Sequence, residues 1–232
     1  MEVRSLKENI GCLYVVATPI GNLEDITYRA VRVLSEVDMI LCEDTRQTLK
    51  LLNKLEIKKP LKSYHSYNEK RVVDDIIIKL KNGSNLALVS DSGTPCISDP
   101  GFVLLSHAIN DGIQVIPIPG PSAFLALLSI CGFPTSSFQF IGFLPIKKNK
   151  RLKILNDLQN FKGIIILYES PYRIIKLLND LLEIFPNNQV VMGRELTKKF
   201  ETIYRGTTQE LATQKNNIKP KGEFTILINN FT

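Results

Sequence analysis

Three residue types are scarce in this sequence, and their scarcity narrows the chemistry that it can perform. Tryptophan is absent, histidine occurs twice and cysteine four times among 232 residues. The cysteines show no CxxC or CxxH spacing, and two histidines cannot build a histidine-rich cluster, so the sequence predicts no metal site. The four thiols are expected to be buried and reduced; they are Cys12, Cys42, Cys96 and Cys131.

The sequence also has no apolar run long enough to cross a bilayer. The longest, AFLALLSICGF at 123–133, is about half the ~20 residues that a transmembrane helix needs. The first residues mix Glu2, Arg4, Lys7 and Glu8 ahead of a short apolar run, unlike a signal peptide. A cytoplasmic protein with no membrane partner is therefore expected. Its net charge of +6 permits a nucleic-acid partner without requiring one.

Two common nucleotide-binding motifs are missing as well. The sequence contains neither GxxxxGK[ST] nor GxGxxG. Binding of a nucleoside triphosphate through a P-loop, or of a dinucleotide through its usual fingerprint, therefore has no support.

In the first half of the chain, short apolar runs alternate with helical patterns. The apolar runs predict strands covered on both faces, at 12–18, 38–42, 86–90 and 113–118. One apolar stripe predicts a helix over 70–81, and a second helix is expected over 100–111 with Asp99 as its N-cap. This alternation predicts βαβ units and a parallel sheet, which binds ligands outside the carboxyl ends of its strands.

The second half shows a further set of strands and helices. Strands are predicted at 138–143, 163–169, 189–195 and 223–229. An apolar helix is expected from 123 to Cys131, another from Ser170, and Thr207 is expected to form a capping box with Glu210. A boundary near 119–123 gives two domains, 1–120 and 121–232.

Three loops rich in glycine and proline each follow a predicted strand. They are TPIGN (18–22), SDSGTP (90–95) and PGPSA (119–123). Each alone is equally well a tight connection, but three at one sheet edge predict a common crevice. Asp91 can accept hydrogen bonds from ribose hydroxyls or an ammonium group, and glycine lets the backbone approach a ligand closely. A nucleoside with positive charge and no phosphate fits this setting, and S-adenosylmethionine is such a molecule.

Charged clusters follow other predicted elements. CEDTR (42–46) ends the second strand and is also a plausible charged helix start, and GRELTKKFE (193–201) ends a later one. PIKKNKR (145–151) is a basic cluster that either contacts phosphates or only aids solubility.

Seven blocks of the sequence occur in the order of a known family. They are LYVVATPIGNLEDITYRA, LCEDTRQT, LVSDSGTPCISDPG, PIPGPSAFLALLSICGFP, FIGFLP, YESPYR and GRELTKKFET, spread over about residues 12–228. Together they closely resemble the ribosomal RNA small subunit methyltransferase I family. These are cytidine 2′-O-methyltransferases of the tetrapyrrole methylase superfamily.

The resemblance implies a fold, a cofactor and a reaction. The expected fold is two α/β domains of the tetrapyrrole methylase type, the N-terminal sheet largely parallel and the C-terminal sheet mixed, with a cofactor cleft between them. The implied reaction methylates the ribose 2′-hydroxyl of a cytidine in the decoding region of small-subunit rRNA, within the small ribosomal subunit. S-adenosylmethionine is the implied donor, and a homodimer is the expected assembly.

The loops and the resemblance lead to one hypothesis for the site. Cofactor contacts are assigned to Thr18, Pro19, Gly21, Asp91, Gly93, Thr94, Pro119, Gly120 and Ser122. Substrate contacts are assigned to Arg46, Arg194, Lys147 and Lys148. A base or cation should help to remove the hydroxyl proton, and the candidates are Asp44, Glu195 and Lys198.

Two departures and two rivals remain. Family members often carry histidine where this chain has Tyr67 and Tyr172, so no catalytic role is assigned to either position.

One rival is a small-molecule methyltransferase acting on a tetrapyrrole, which would not depend on RNA. The other is a non-catalytic RNA-binding or ribosome-assembly protein, which would fail to bind S-adenosylhomocysteine.

Overall fold

The computed structural model describes residues 10–231, and the chain divides into two compact units between Ser122 and Ala123. The charged N-terminal residues considered above as a signal peptide lie outside the described range. Within residues 10–231, no helix has the length and apolar character needed to cross a membrane.

The first unit is a parallel sheet with helices on both faces. Its elements are β1 (Cys12–Val16), α1 (Tyr28–Glu36), β2 (Met39–Cys42), α2 (Thr45–Lys54), β3 (Leu61–Ser63), α3 (Glu69–Lys81), β4 (Leu86–Val89), α4 (Phe102–Asn110) and β5 (Gln114–Ile118). The strands run parallel in the order β3-β2-β4-β1-β5. Successive side chains alternate between faces, so in β4 Leu86 and Leu88 join the core under α3 and α4, whereas Ala87 and Val89 join the core under α1 and α2.

The second unit contains a mixed sheet. Its elements are α5 (Ala123–Ser129), β6 (Phe138–Phe143), α6 (Lys148–Leu158), β7 (Gly163–Glu169), α7 (Ile174–Ile184), β8 (Gln189–Arg194), β9 (Thr202–Thr207), α8 (Thr208–Thr213) and β10 (Phe224–Asn230). The strand order is β6-β7-β10-β8-β9; β6 and β7 are parallel, and the other neighbours are antiparallel. The fold is therefore the predicted pair of α/β domains, with one parallel and one mixed sheet.

Most predicted elements are confirmed to within two residues, and the exceptions have identifiable causes. The expected cap at Asp99 is wrong, because α4 begins at Phe102 after Gly101, whose φ of 146° only glycine adopts readily. The helix expected from Ser170 begins at Ile174 instead. The capping box of Thr207 and Glu210 is present as predicted.

Two strands and two thiols differ from expectation. β3 and β9 were not predicted, because both are edge strands that lack the continuous apolar runs of the inner strands. Cys42 and Cys131 are buried as expected, but Cys12 and Cys96 are only partly buried.

Candidate active site

Hydrogen bonds between loops draw the three Gly/Pro loops together at the carboxyl edge of the first sheet. The backbone N–H of Thr18 donates to the carbonyl of Gly93 at 2.8 Å, and the N–H of Gly93 donates back to Thr18 at 3.0 Å. The hydroxyl of Thr94 donates to the carbonyl of Pro121 at 3.1 Å. The loops after β1, β4 and β5 therefore share one edge, as the sequence predicted.

The glycines in these loops permit the close packing of one loop against another. A Cβ on Gly120 would lie 3.0 Å from the Cβ of Ala17, and Gly93 has a φ of +84° that favours glycine. Thr18 is almost fully buried, and its hydroxyl donates to the carbonyl of Ser90 at 3.1 Å. Among the predicted cofactor residues, Thr18 and Gly93 thus hold the loops together from beneath.

Other predicted cofactor residues lie at the surface of this edge. Those classed as exposed are Gly21, Asp91, Pro119 and Gly120, whereas Pro19, Thr94 and Ser122 are partly buried. These groups are accessible to a ligand without rearrangement of the loops.

An acidic cluster spans the ends of the neighbouring strands β2 and β4. The Oδ1 atom of Asp91 accepts a hydrogen bond from the N–H of Asp44 at 3.1 Å. The chain leaves β2 toward one side of the sheet and β4 toward the other, because β2 leads to β3 and β4 leads to β5. Such a reversal of direction between neighbouring strands is where open α/β sheets bind ligands.

Asp44 also has a structural role. Its Oδ1 accepts from the N–H of Arg46 at 2.8 Å, which caps the start of α2. The Arg46 side chain adds a two-point ion pair, with Nε 3.0 Å from Oδ1 and Nη2 2.6 Å from Oδ2. These bonds from Arg46 lower the pKa of Asp44 to about 2.

The other two carboxyl groups of the cluster, Asp91 and Glu43, have raised pKa values. Asp91 is exposed as a whole residue, but partial burial of its carboxyl group raises its pKa; the hydrogen bond from the Asp44 N–H opposes this shift, and the charge of Asp44 adds to it. Burial and the charges of Asp91 and Asp44 likewise raise the pKa of Glu43. The guanidinium of Arg46 offsets the charges of Asp44 and Asp91, but the three carboxyl groups still repel one another, and a cationic ligand would relieve that repulsion. This excess of negative charge fits the sulfonium and ammonium groups of S-adenosylmethionine. Sequence reasoning noted Glu43 but assigned it no role; the signal was its place beside Asp44 at the strand end.

In the second unit, Lys198 bridges two carboxylates. Its Nζ lies 3.0 Å from Oε1 of Glu195 and 2.8 Å from Oε2 of Glu223. Burial disfavours the ammonium, but the hydrogen bonds and charges of both glutamates outweigh it and raise the pKa of Lys198. Burial likewise opposes ionisation of Glu195, yet hydrogen bonds from Lys198 and the Glu223 N–H lower its pKa.

The predicted substrate residues fall into different surroundings. Arg194 is buried, and it donates from Nε to the carbonyl of Lys221 at 2.6 Å and from Nη1 to that of Phe200 at 2.9 Å. It therefore supports the loops around Glu195. Arg46, Lys147 and Lys148 are exposed and open to a substrate.

The fold resembles that of solved methyltransferases of the tetrapyrrole pathway. A cobalt precorrin-4 methyltransferase superposes with a TM-score of 0.67 over 94% of each chain, at 19% identity. The uroporphyrin-III C-methyltransferase of Thermus thermophilus, complexed with S-adenosylhomocysteine, gives 0.65 at 17% identity over 94% of this chain and 97% of that one. The family model of tetrapyrrole (corrin/porphyrin) methylases matches residues 12–212.

Relatives of higher identity narrow this class. A ribosomal RNA small subunit methyltransferase I from Halalkalibacterium halodurans is 49% identical over 226 residues, covering 96% of this chain and 77% of that protein. The protein of that name from Thermotoga maritima is 46% identical over 219 residues, covering 94% and 98%. The chain belongs to the ribosomal RNA small subunit methyltransferase I family, within the tetrapyrrole methylases.

Proposed function

We propose that this chain methylates the 2′-hydroxyl of a cytidine in the decoding region of small-subunit rRNA, using S-adenosylmethionine. The observation that supports it most is 46–49% identity to rRNA methyltransferases over nearly the whole chain. The proposal includes a homodimer, a target inside the assembled small subunit and therefore a cytoplasmic site of action.

The donor supplies a methyl group already activated on a sulfonium. The chain therefore has to bind, orient and exclude water, and positioning alone can lower a barrier by about 7–11 kcal/mol. In the proposal, Asp91 and the exposed loop backbone at Gly21, Pro119 and Gly120 hold the cofactor. Asp44 and Glu43 add to the negative potential that attracts it.

The directions of the pKa shifts indicate which role each of the three candidates for proton removal can have. Asp44 and Glu195 have lowered pKa values, so each is ionised but a weak base at neutral pH. Lys198 has a raised pKa and is protonated there. We therefore propose that Lys198 eases loss of the 2′-hydroxyl proton to a solvent water by stabilising the negative charge that develops on the oxygen, and that Glu195 positions Lys198.

Methyl transfer to ribosomal substrates tests the proposed reaction. Small ribosomal subunits lacking the modification are incubated with labelled S-adenosylmethionine, beside naked rRNA and a tetrapyrrole precursor. We expect label in a 2′-O-methylated cytidine, identified by mass. Label only in the tetrapyrrole would contradict the proposal, and failure to bind S-adenosylhomocysteine would favour a non-catalytic RNA-binding protein.

Replacing Lys198 with alanine tests its assignment. We expect unchanged affinity for S-adenosylhomocysteine and a decrease in methyl transfer of about 10²-fold, the usual effect of one stabilising donor. The neighbouring Lys199→Ala is the matched control, because Lys199 lies 5.7 Å from the ring of Phe200 and outside the ion-pair cluster. Full activity of Lys198→Ala would remove Lys198 from the site.

A further inference from the structure

A surface cavity of about 370 Å³ lies in the second unit, where the parallel strands β6 and β7 end and the helices α6 and α7 begin. It is lined by Ile146, Lys148, Arg151, Glu169, Arg173, Lys176, Asn179 and Asp180. This edge corresponds to the position at which parallel strands usually present ligand sites. The functional assignments above use only Lys148 among the lining residues.

Two arginines build the walls of the cavity. Arg151 is buried with Asp180, and its Nε lies 2.6 Å from the Asp180 carboxylate while its Nη1 donates to the carbonyls of Pro145 and Ile146. Arg173 donates from Nη2 to the carbonyl of Leu144 at 2.7 Å and pairs with Glu169 at 3.0 Å. Each arginine is thus neutralised by a carboxylate, and both fix the loop that precedes α6.

The two lysines leave the cavity with net positive charge. Lys176 is exposed and makes no ion pair or hydrogen bond with any residue from 10 to 231. Lys148 lies 3.9 Å from Glu183, but both side chains are about 60% exposed, so this pair is weak. Both helices also begin here, and neither has a side-chain cap from the described residues. Helix N-termini add positive potential to a site that already holds one lysine unpaired within the described range and one weakly paired lysine.

We propose that this cavity binds a backbone phosphate of single-stranded RNA. This proposal rests on the proposed function, in which rRNA is the substrate. A volume of 370 Å³ is many times the roughly 10–15 Å³ that one water needs on the same measure, and it leaves room for a ribose beside a phosphate. Ile146 lines the cavity and is 81% exposed, so it offers an apolar surface to a ribose or a base. A cationic groove that follows the phosphate backbone is one of the features by which proteins bind single-stranded nucleic acid.

The test removes the two lysines, because neither one supports the walls. The variant Lys148→Ala/Lys176→Ala is compared with Lys162→Ala/Lys215→Ala, which removes two exposed lysines of the same unit that do not line the cavity. Anisotropy of an end-labelled single-stranded RNA is measured at several salt concentrations, with inorganic phosphate as a competitor. Affinity for S-adenosylhomocysteine, thermal unfolding and the KM for small subunits are measured on the same proteins.

We expect the cavity variant to bind RNA about 10-fold more weakly, with unchanged cofactor affinity and thermal midpoint. The slope of log K against log salt should become shallower by about 0.7, the value for one phosphate contact on a single strand. The control variant should match the wild type. Equal losses in both variants, or no loss in the cavity variant, would overturn the proposal. The proposal would also be overturned if inorganic phosphate bound at the cavity but removal of the two lysines left the affinity for RNA unchanged.

The same measurements separate this proposal from the proposed function. A cavity variant with wild-type RNA affinity and KM, in a protein that methylates small subunits, would overturn only the cavity proposal. A wild-type protein that methylates no rRNA, but loses RNA affinity when the lysines are removed, would overturn only the proposed reaction. A wild-type protein that binds no RNA would overturn both.

Discussion

Asp91→Ala is expected to weaken the binding of S-adenosylhomocysteine by roughly 10- to 100-fold, the usual effect of losing a hydrogen bond to a charged group. The reason is that Asp91 belongs to the loop after β4, which meets the loops after β1 and β5, and we propose that its carboxylate contacts the cofactor. Isothermal titration calorimetry measures this change directly. The matched control is Asp111→Ala, which removes an exposed acid paired with Lys81. Near wild-type affinity in Asp91→Ala would remove Asp91 from the cofactor site.

The same residue allows a stability measurement with a defined sign. The pKa of Asp91 is raised in the folded state, by burial first and then by Asp44, so its ionisation costs folding free energy. That cost is complete above the folded pKa and absent below the unfolded value of about 3.9. Asp91→Asn keeps an oxygen for the N–H of Asp44. We therefore expect it to unfold at a higher temperature than the wild type at neutral pH, with the gain disappearing as the pH falls through this range.

Asp180→Ala is expected to cost about 3–5 kcal/mol in the free energy of unfolding, because it leaves the guanidinium of Arg151 buried without its partner. Urea unfolding followed by circular dichroism measures the loss. The double variant Arg151→Met/Asp180→Leu removes both charges and should recover most of it.

An exposed ion pair provides the control for this effect. Glu183→Ala breaks the contact with Lys148, where both side chains are about 60% exposed, and should change stability by less than ~0.5 kcal/mol. A loss in Asp180→Ala no larger than that in Glu183→Ala would contradict the structural role assigned to the buried pair.

The parts of the fold that the sequence predicts are those in which one local pattern decides the structure. The run LALV in β4 is buried on both faces, so its continuous apolar character marks a strand without further information. The edge strands β3 and β9 were not predicted because their side chains remain half exposed. Each has only one neighbouring strand, so neither needs the continuous apolar run that marks an inner strand. The cap at Asp99 was misplaced for a related reason, since Cys96 and Ser98 adopt positive φ values that no local pattern predicts.

Some features of the candidate site could likewise be predicted from the sequence, and others could not. Loop convergence was predictable, because parallel strands present their carboxyl ends at one edge. The charges could not be sorted from the sequence, because Arg194 and Lys198 lie in one charged run yet differ completely in surroundings. Arg194 is bonded to loop carbonyls inside the unit, whereas Lys198 connects two glutamates that are 28 residues apart. The cavity between α6 and α7 was not predicted either, since its residues come from two segments, 146–151 and 169–180, that are separated in the chain.

The position of β10 in the second sheet has a consequence for the order of folding. β10 pairs with β7 on one side and β8 on the other, although it follows both of them in the chain. Until β10 has been synthesised, β7 and β8 each present an open edge, and the run Ile164–Leu167 in β7 is wholly apolar and buried in the finished fold. The order of synthesis therefore leaves the apolar strand β7 unpaired on one side until the central strand β10 emerges.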